Sequence, residues 1–153
     1  MKDLGIYIHI PFCVKKCAYC DFISFEKKEE NIKRYIESLK IEIDKCEELQ
    51  DSEININTVY IGGGTPSYID SKYIVEIIDT IKQKVSLIST ETTIEVNPGT
   101  VTKQKLEDYY NSGINRISIG LQSTNDNLLK TIGRVHNYEQ FLYTYKLARQ
   151  VRI

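Results

Sequence analysis

The sequence of 153 residues has no excess of charge of either sign: 20 Lys and Arg stand against 21 Asp and Glu. That balance provides no general attraction to nucleic acid or acidic lipid. The basic residues are scattered, and no run of them is interleaved with aromatics in the manner of an RNA- or DNA-binding face. Also missing is an uninterrupted apolar run of the roughly 20 residues that a bilayer-spanning helix needs. The opening Met-Lys-Asp-Leu-Gly leads straight into a strand-like stretch, without the apolar segment and small-residue cleavage site of a secretory signal. A soluble, cytoplasmic protein is expected. No low-complexity linker divides the chain, so residues 1–153 are taken as one domain, long enough to bury a core.

What is present is a hydrophobic period that switches between two and 3.6, with Gly, Pro or Asn between segments. Leu4–Ile10 alternates as a strand, with Ile6, Ile8 and Ile10 on one face and Tyr7 and His9 on the other. Ile32, Tyr35, Ile36, Leu39, Ile43 and Cys46 then form one stripe of an amphipathic helix. Thr58–Ile61 is a second strand, followed by a helix lined by Ile74, Ile77, Ile78, Ile81 and Val85. Thr92–Val96 is a third, after which Thr100 is placed to cap a short helix carrying Leu106, Tyr109 and Tyr110. Arg116–Gln122 is a fourth, and a split helical region carries Phe141, Leu142, Tyr145 and Ala148. Val151-Arg152-Ile153 reads as the start of a fifth strand. Strand and helix alternating at this spacing predict βαβ units and a parallel sheet, closed either as a doubly wound sheet or as a barrel.

Three of the four cysteines fall in one short loop, Cys13-Val-Lys-Lys-Cys17-Ala-Tyr-Cys20, just past a strand's C-terminal end. In a compartment that keeps thiols reduced, such clustering points to metal binding or catalysis rather than to disulfides. Structural zinc usually takes four ligands, and no second pair exists here, since Cys46 lies on a helix's apolar stripe as a small core hydrophobe. Thiolates also suit iron–sulfur clusters, where three cysteines would leave one iron open. An incomplete zinc site, or idle thiols, is the alternative. Lys15 and Lys16 are by default solvated loop residues.

Gly62-Gly63-Gly64-Thr65-Pro66-Ser67 marks a strand-to-helix turn where backbone can approach a ligand and Ser or Thr can cap the next helix. It lacks the Lys-Ser/Thr ending of a P-loop, and Ser67 stands where a dinucleotide fingerprint needs its last glycine. Strand parity places Arg116, Ser118, Gly120 and Gln122 on one face, and Thr93, Glu95 and Asn97 together. A barrel lined by these groups, with Tyr7 and His9, is polar at the strands' C-terminal ends, where barrels build active sites. Glu95 then needs strong hydrogen-bond partners, either ligand hydroxyls or an internal lysine or arginine.

The cysteine spacing, with an aromatic before the third cysteine, resembles the signature of the radical S-adenosylmethionine (SAM) superfamily. Tyr7–Cys13, Gly62–Ser67, Glu95–Thr100, Asn115–Ser123 and Gly133–His136 are together similar to one branch of it. That branch holds oxygen-independent coproporphyrinogen III oxidases and the heme chaperones of the HemW group. The resemblance implies an α/β fold, a partial (β/α) barrel with about four βα units, cut at the start of a fifth strand. Residues 1–153 would then be the N-terminal part of a radical SAM core domain. It implies a 4Fe-4S cluster on Cys13, Cys17 and Cys20, and SAM contacts at Tyr7, Gly63, Glu95, Gln122 and Arg134. Tyr19, Gly64 and Thr65 match further SAM-contacting positions. It also implies heme as bound cargo, a reductant protein such as flavodoxin or ferredoxin, and a heme acceptor. His9 and His136 are expected to be hydrogen-bonded structural histidines rather than heme ligands. The oxidase carries a further cysteine two positions after the third ligand, where this chain has Phe22. That departure favours a heme chaperone over an oxidase that decarboxylates coproporphyrinogen III. A metal-stabilised module without redox chemistry is the remaining alternative.

Overall fold

The computed structural model describes residues 2–26, 29–50 and 53–153. Strands β1 (Lys2–Ile10), β4 (Ile54–Gly63), β5 (Glu91–Val96) and β6 (Arg116–Ile119) form one parallel sheet in the order β1-β4-β5-β6. Two-residue strands β2 (Phe12–Cys13) and β3 (Phe25–Glu26) pair with each other and bracket the cysteine loop. The crossovers are helices α1 (Glu29–Lys45), α2 (Ser71–Lys82) and α3 (Lys103–Asn111), while α4 (Asp126–Thr131) and α5 (Tyr138–Val151) follow β6.

Period-two alternation decides which face of the sheet is covered. Ile8, Ile10, Val59, Ile61, Ile94 and Val96 are buried in one core with the helical stripes Ile32-Ile36-Leu39-Ile43 and Ile74-Ile77-Ile78-Ile81. Each such side chain stabilises the fold by about 1.5–3 kcal/mol when fully buried. Helices α1, α2, α3 and α5 pack in succession on one another along that side, so the sheet is an arc of a barrel with its helices outside. Cys46 lies just past α1 rather than on its stripe, partly buried against this core, with its thiol donating to Glu48 Oε2 at 3.4 Å.

Strand β4 begins four residues before the expected Thr58 because it carries a bulge. Leu4 pairs with Ile56 but Gly5 with Thr58, leaving Asn57 as the extra residue. Ile56 and Val59 are therefore both buried although they differ in parity.

Four further boundaries differ from the sequence reading. Thr102, not Thr100, caps α3, accepting from the Lys105 amide at 3.2 Å. The Thr100 hydroxyl is already committed to the Asn97 carbonyl at 2.7 Å and to Ser67 at 2.6 Å. The cap of α2 is Asp70, accepting from the Lys72 amide at 3.0 Å, rather than a Ser or Thr of the glycine turn. Strand β6 stops at Ile119, short of Gln122, because Leu121 and Ser123 each donate to the carbonyl two residues back. Lastly, Val151 ends α5 and Arg152 is its left-handed cap with φ 69°, so residues 151–153 are a helix terminus and not a strand.

Candidate functional site

At the C-terminal ends of the strands a cavity of about 210 Å³ opens on the face away from the helices. Its lining includes Cys13, Cys17 and Cys20, together with Tyr19, Gly63, Gly64, Thr65, Glu95, Gln122 and Arg134. Residues that sequence reasoning drew from five separate segments thus share one space. Tyr7 is the exception. Its ring stacks on Tyr60 at 6.2 Å and its hydroxyl meets His9 Nδ1 at 3.1 Å, one layer below the cavity lining. Burial first, and the Glu95 charge second, raise the Tyr7 pKa, so it remains a neutral phenol.

The cysteine loop leaves the sheet at Ile10 and is anchored through its main chain. Phe25 N–H donates to the Pro11 carbonyl at 2.7 Å, Ala18 N–H to Ile132 at 3.3 Å, and Cys20 N–H to Cys17 at 3.1 Å. His9 Nε2 reaches the Ile23 carbonyl at 2.9 Å, so this histidine is hydrogen-bonded to the loop. All three thiols are free, with Cys13 buried and Cys17 and Cys20 partly exposed.

The glycine turn packs directly behind the loop. Gly64 N–H donates to the Ile10 carbonyl at 2.9 Å and Thr65 N–H to Phe12 at 2.8 Å. A Cβ on Gly64 would lie 2.8 Å from the Phe12 oxygen and 2.9 Å from Cys13 Sγ, so only glycine lets the two backbones meet. Gly63 adopts φ 116°, and its N–H donates to Glu95 Oε2 at 3.1 Å. The turn is held from below by Lys105, whose ammonium donates to the carbonyls of Ser67 and Ile69, both at 2.9 Å, and of Thr100 at 3.3 Å. Burial lowers the Lys105 pKa.

Glu95 is paired with neither lysine nor arginine among the described residues. Tyr60 donates to its Oε1 at 2.8 Å, and Gly63 serves Oε2. Across the cavity, Arg134 Nη2 donates to Asn97 Oδ1 at 2.7 Å and to the Gly120 carbonyl at 2.8 Å. Nη1 reaches the Tyr19 hydroxyl at 3.4 Å and lies 4.0 Å from Cys17 Sγ. Nε is buried without a partner, an orphaned donor beside the cavity. Burial raises the Tyr19 pKa, and the neighbouring Arg134 only partly opposes it. Gln122 reaches the cavity from a turn rather than from the strand: its φ is 67°, a strained value for a residue with a side chain. His136 is buried, with its Nε2 on the Leu121 carbonyl at 3.2 Å and its Nδ1 without a partner.

Sequence reasoning missed Asn97 and Tyr60 as site residues. Asn97 binds Arg134 through its oxygen and donates to Thr65 Oγ1 at 2.9 Å, so it joins three elements. Strand parity had placed it on the polar face, and its position before Pro98-Gly99 at a strand end was the available signal.

The donor set can be tested against the group its residue types suggest. Among the described residues, no three His, Cys, Asp or Glu side chains converge on a point that a single metal ion could occupy. Tetrahedral zinc at about 2.3 Å from each sulfur would need such convergence. Cys13, Cys17 and Cys20 line one cavity, and three thiolates are a donor set of the kind that holds iron–sulfur clusters. Beside them, Glu95 offers acceptors to hydroxyls or an ammonium, and Arg134 a positively charged guanidinium to an anion.

Comparison with known proteins agrees. Residues 7–153 match the radical SAM superfamily. Heme chaperone HemW from Buchnera aphidicola (subsp. Schizaphis graminum) is 40% identical over 153 residues, covering 99% of this chain and 40% of the relative. HemW from Escherichia coli is 39% identical over 150 residues, covering 97% and 39%. The oxygen-independent coproporphyrinogen-III oxidase-like protein HemZ of Bacillus subtilis is 34% identical over 154 residues, covering 97% and 31%. Among solved structures, coproporphyrinogen III oxidase HemN from Escherichia coli, described as a radical SAM enzyme, superposes with a TM-score of 0.87 at 26% identity. That match covers 96% of this chain and 34% of HemN. The chain thus spans about two fifths of the length of the HemW relatives.

Proposed function

This chain belongs to the radical SAM superfamily, close to HemW heme chaperones and HemN-like oxidases, and from that premise we propose that it forms the cluster- and SAM-binding part of a heme chaperone. The observation that carries the proposal is the convergence of Cys13, Cys17 and Cys20 with Glu95, Gln122 and Arg134 on one cavity. Cys13, Cys17 and Cys20 would hold a 4Fe-4S cluster, which supplies one-electron chemistry toward SAM when bound. The residues' own work is binding and orientation. Arg134 presents a guanidinium already fixed by Asn97 and Gly120, suited to a carboxylate. Glu95 presents a carboxylate at the cavity, with one donor on each oxygen. Gly63, Gly64 and Thr65 bring backbone close to the ligand, and Tyr19 covers the cysteine side. Electrons would come from a reductant such as flavodoxin or ferredoxin, and heme would pass to an acceptor protein.

Chaperoning is favoured over decarboxylation by Phe22, which lines the cavity where the oxidase pattern has its additional cysteine. A phenyl ring neither ligates iron nor exchanges hydrogen as a thiol does. The structural likeness to HemN supports the oxidase as the second reading. The test uses the whole protein, reconstituted anaerobically: heme titration, and separately turnover of coproporphyrinogen III with SAM. Stoichiometric heme binding without turnover is expected. Sustained formation of protoporphyrinogen IX would reverse the assignment, and failure to form any cluster would leave only a metal-stabilised module.

A further inference from the structure

The barrel interior is built in layers across the strands. Tyr7, Tyr60, Thr93 and Arg116 stand in register in one layer. Two residues further along, His9 is opposite Gly62, and Glu95 is opposite Ser118. Gly62 therefore leaves the upper layer without a side chain next to Glu95. The gap is filled from below, because the Tyr60 ring leans over Gly62 and delivers its hydroxyl to Glu95 Oε1 at 2.8 Å. A Cβ on Gly62 would lie 2.9 Å from Tyr60 Cε1 and 3.1 Å from Glu95 Oε2, inside both groups. Gly62 has no positive φ, so backbone conformation does not require glycine there; the space does. Tyr7 stacks on the outer face of Tyr60 with the ring planes 20° apart, restricting it from the other side.

We propose that Tyr60, seated over Gly62, is the positioning residue that sets the Glu95 carboxylate toward its ligand. With Gly63 N–H on one oxygen and Tyr60 on the other, the carboxylate plane is fixed before the ligand arrives. The terminal torsion of glutamate is otherwise broad, so a free carboxylate would lose ordering entropy on binding. Tyr60 itself does not need to touch the ligand. This inference rests on the reading that Glu95 contacts SAM.

The experiment measures SAM affinity by anaerobic titration calorimetry on the whole, cluster-loaded protein, with iron content and circular dichroism checked for every variant. Glu95→Ala should weaken binding tenfold or more, and Tyr60→Phe three- to tenfold. In the Glu95→Ala background, Tyr60→Phe should change affinity by less than twofold, because nothing remains to be positioned. Should Tyr60→Phe fail to fold, Tyr60→Leu is read in the same two backgrounds; Gly62→Ala is no substitute, since its methyl would meet Glu95 as well as Tyr60. A loss from Tyr60→Phe that is equal in both backgrounds would make Tyr60 merely structural and overturn the proposal. So would unchanged affinity in Tyr60→Phe while Glu95→Ala is impaired. Unchanged affinity in Glu95→Ala would instead overturn the SAM reading of Glu95 itself.

Discussion

Along the strand-end wall of the cavity, Glu95, Asn97, Thr65, Ser67 and Arg134 all have side-chain or backbone partners, whereas the cysteine loop opposite is fixed mainly through main-chain contacts. The loop also turns apolar groups outward: Phe22, Ile23 and Phe25 are each more than 60% exposed. The wall is organised by the polypeptide itself, so its small-molecule contacts incur little ordering cost. The loop has few internal interactions besides its thiols, and in such segments metal binding and local folding are one process.

The largest effect should come from removing a thiol. Cys17→Ala is expected to lose nearly all iron and sulfide after anaerobic reconstitution, as read by metal analysis and absorbance. If the two regions differ as described, amide exchange should then accelerate in residues 14–24 while the Gly64 and Thr65 amides stay protected. Equal loss of protection in both would break the comparison.

A second substitution acts on the seam between them. Gly64→Ala drives a methyl against the Phe12 backbone and Cys13 Sγ at 2.8–3.0 Å, where main chain cannot yield cheaply. Overpacking of this kind costs about 1–3 kcal/mol, and thermal unfolding should show it together with reduced cluster loading. An unchanged melting temperature would mean that loop and wall are less tightly joined.

Asn97→Ala should damage the wall alone. It removes one acceptor of Arg134 and the donor to Thr65, a change of about 1–3 kcal/mol. SAM affinity should fall several-fold at unaltered iron content; a parallel loss of iron would show that the loop depends on the wall.

The smallest effect concerns pH. Burial, then the nearby Arg134 charge, lowers the His136 pKa below its ordinary 6.5. As pH falls below 6.5 the unfolded chain takes up this proton first, so stability present above 6.5 is lost until the folded pKa is passed. The slope is at most about 1.4 kcal/mol per pH unit. His136→Gln should flatten it, as urea unfolding at pH 7 and 5.5 would show; identical slopes would place the acid sensitivity elsewhere.

Much of this was legible in the sequence because the signals are local. The parity of β1 and β5, the stripes of α1 and α2, and the cysteine spacing each follow from a few neighbouring residues. The cavity was legible as far as its members lie at strand ends, which is why Glu95, Gln122 and Arg134 could be named. What stayed hidden depends on distant pairs. The bulge at Asn57 shows only against β1, and Thr100 lost its expected cap to bonds with Asn97 and Ser67. Gln122 enters from a turn that β-periodicity does not describe. Tyr60 lies unremarked within the second strand, because its bond to Glu95 requires the space above Gly62. Tyr7 stacks on Tyr60, one layer from the other expected contacts, a placement that strand parity alone does not describe.

The anchoring of the cysteine loop has an evolutionary consequence. Its attachments at Ala18, Ile23 and Phe25 all run through main-chain N–H or C=O groups of the loop. Main-chain bonds survive a change of side chain, so residues between them can be exchanged without redirecting the loop. Position 22, which ends no such bond and faces both cavity and solvent, is a place where one scaffold can diverge in chemistry at little cost in stability.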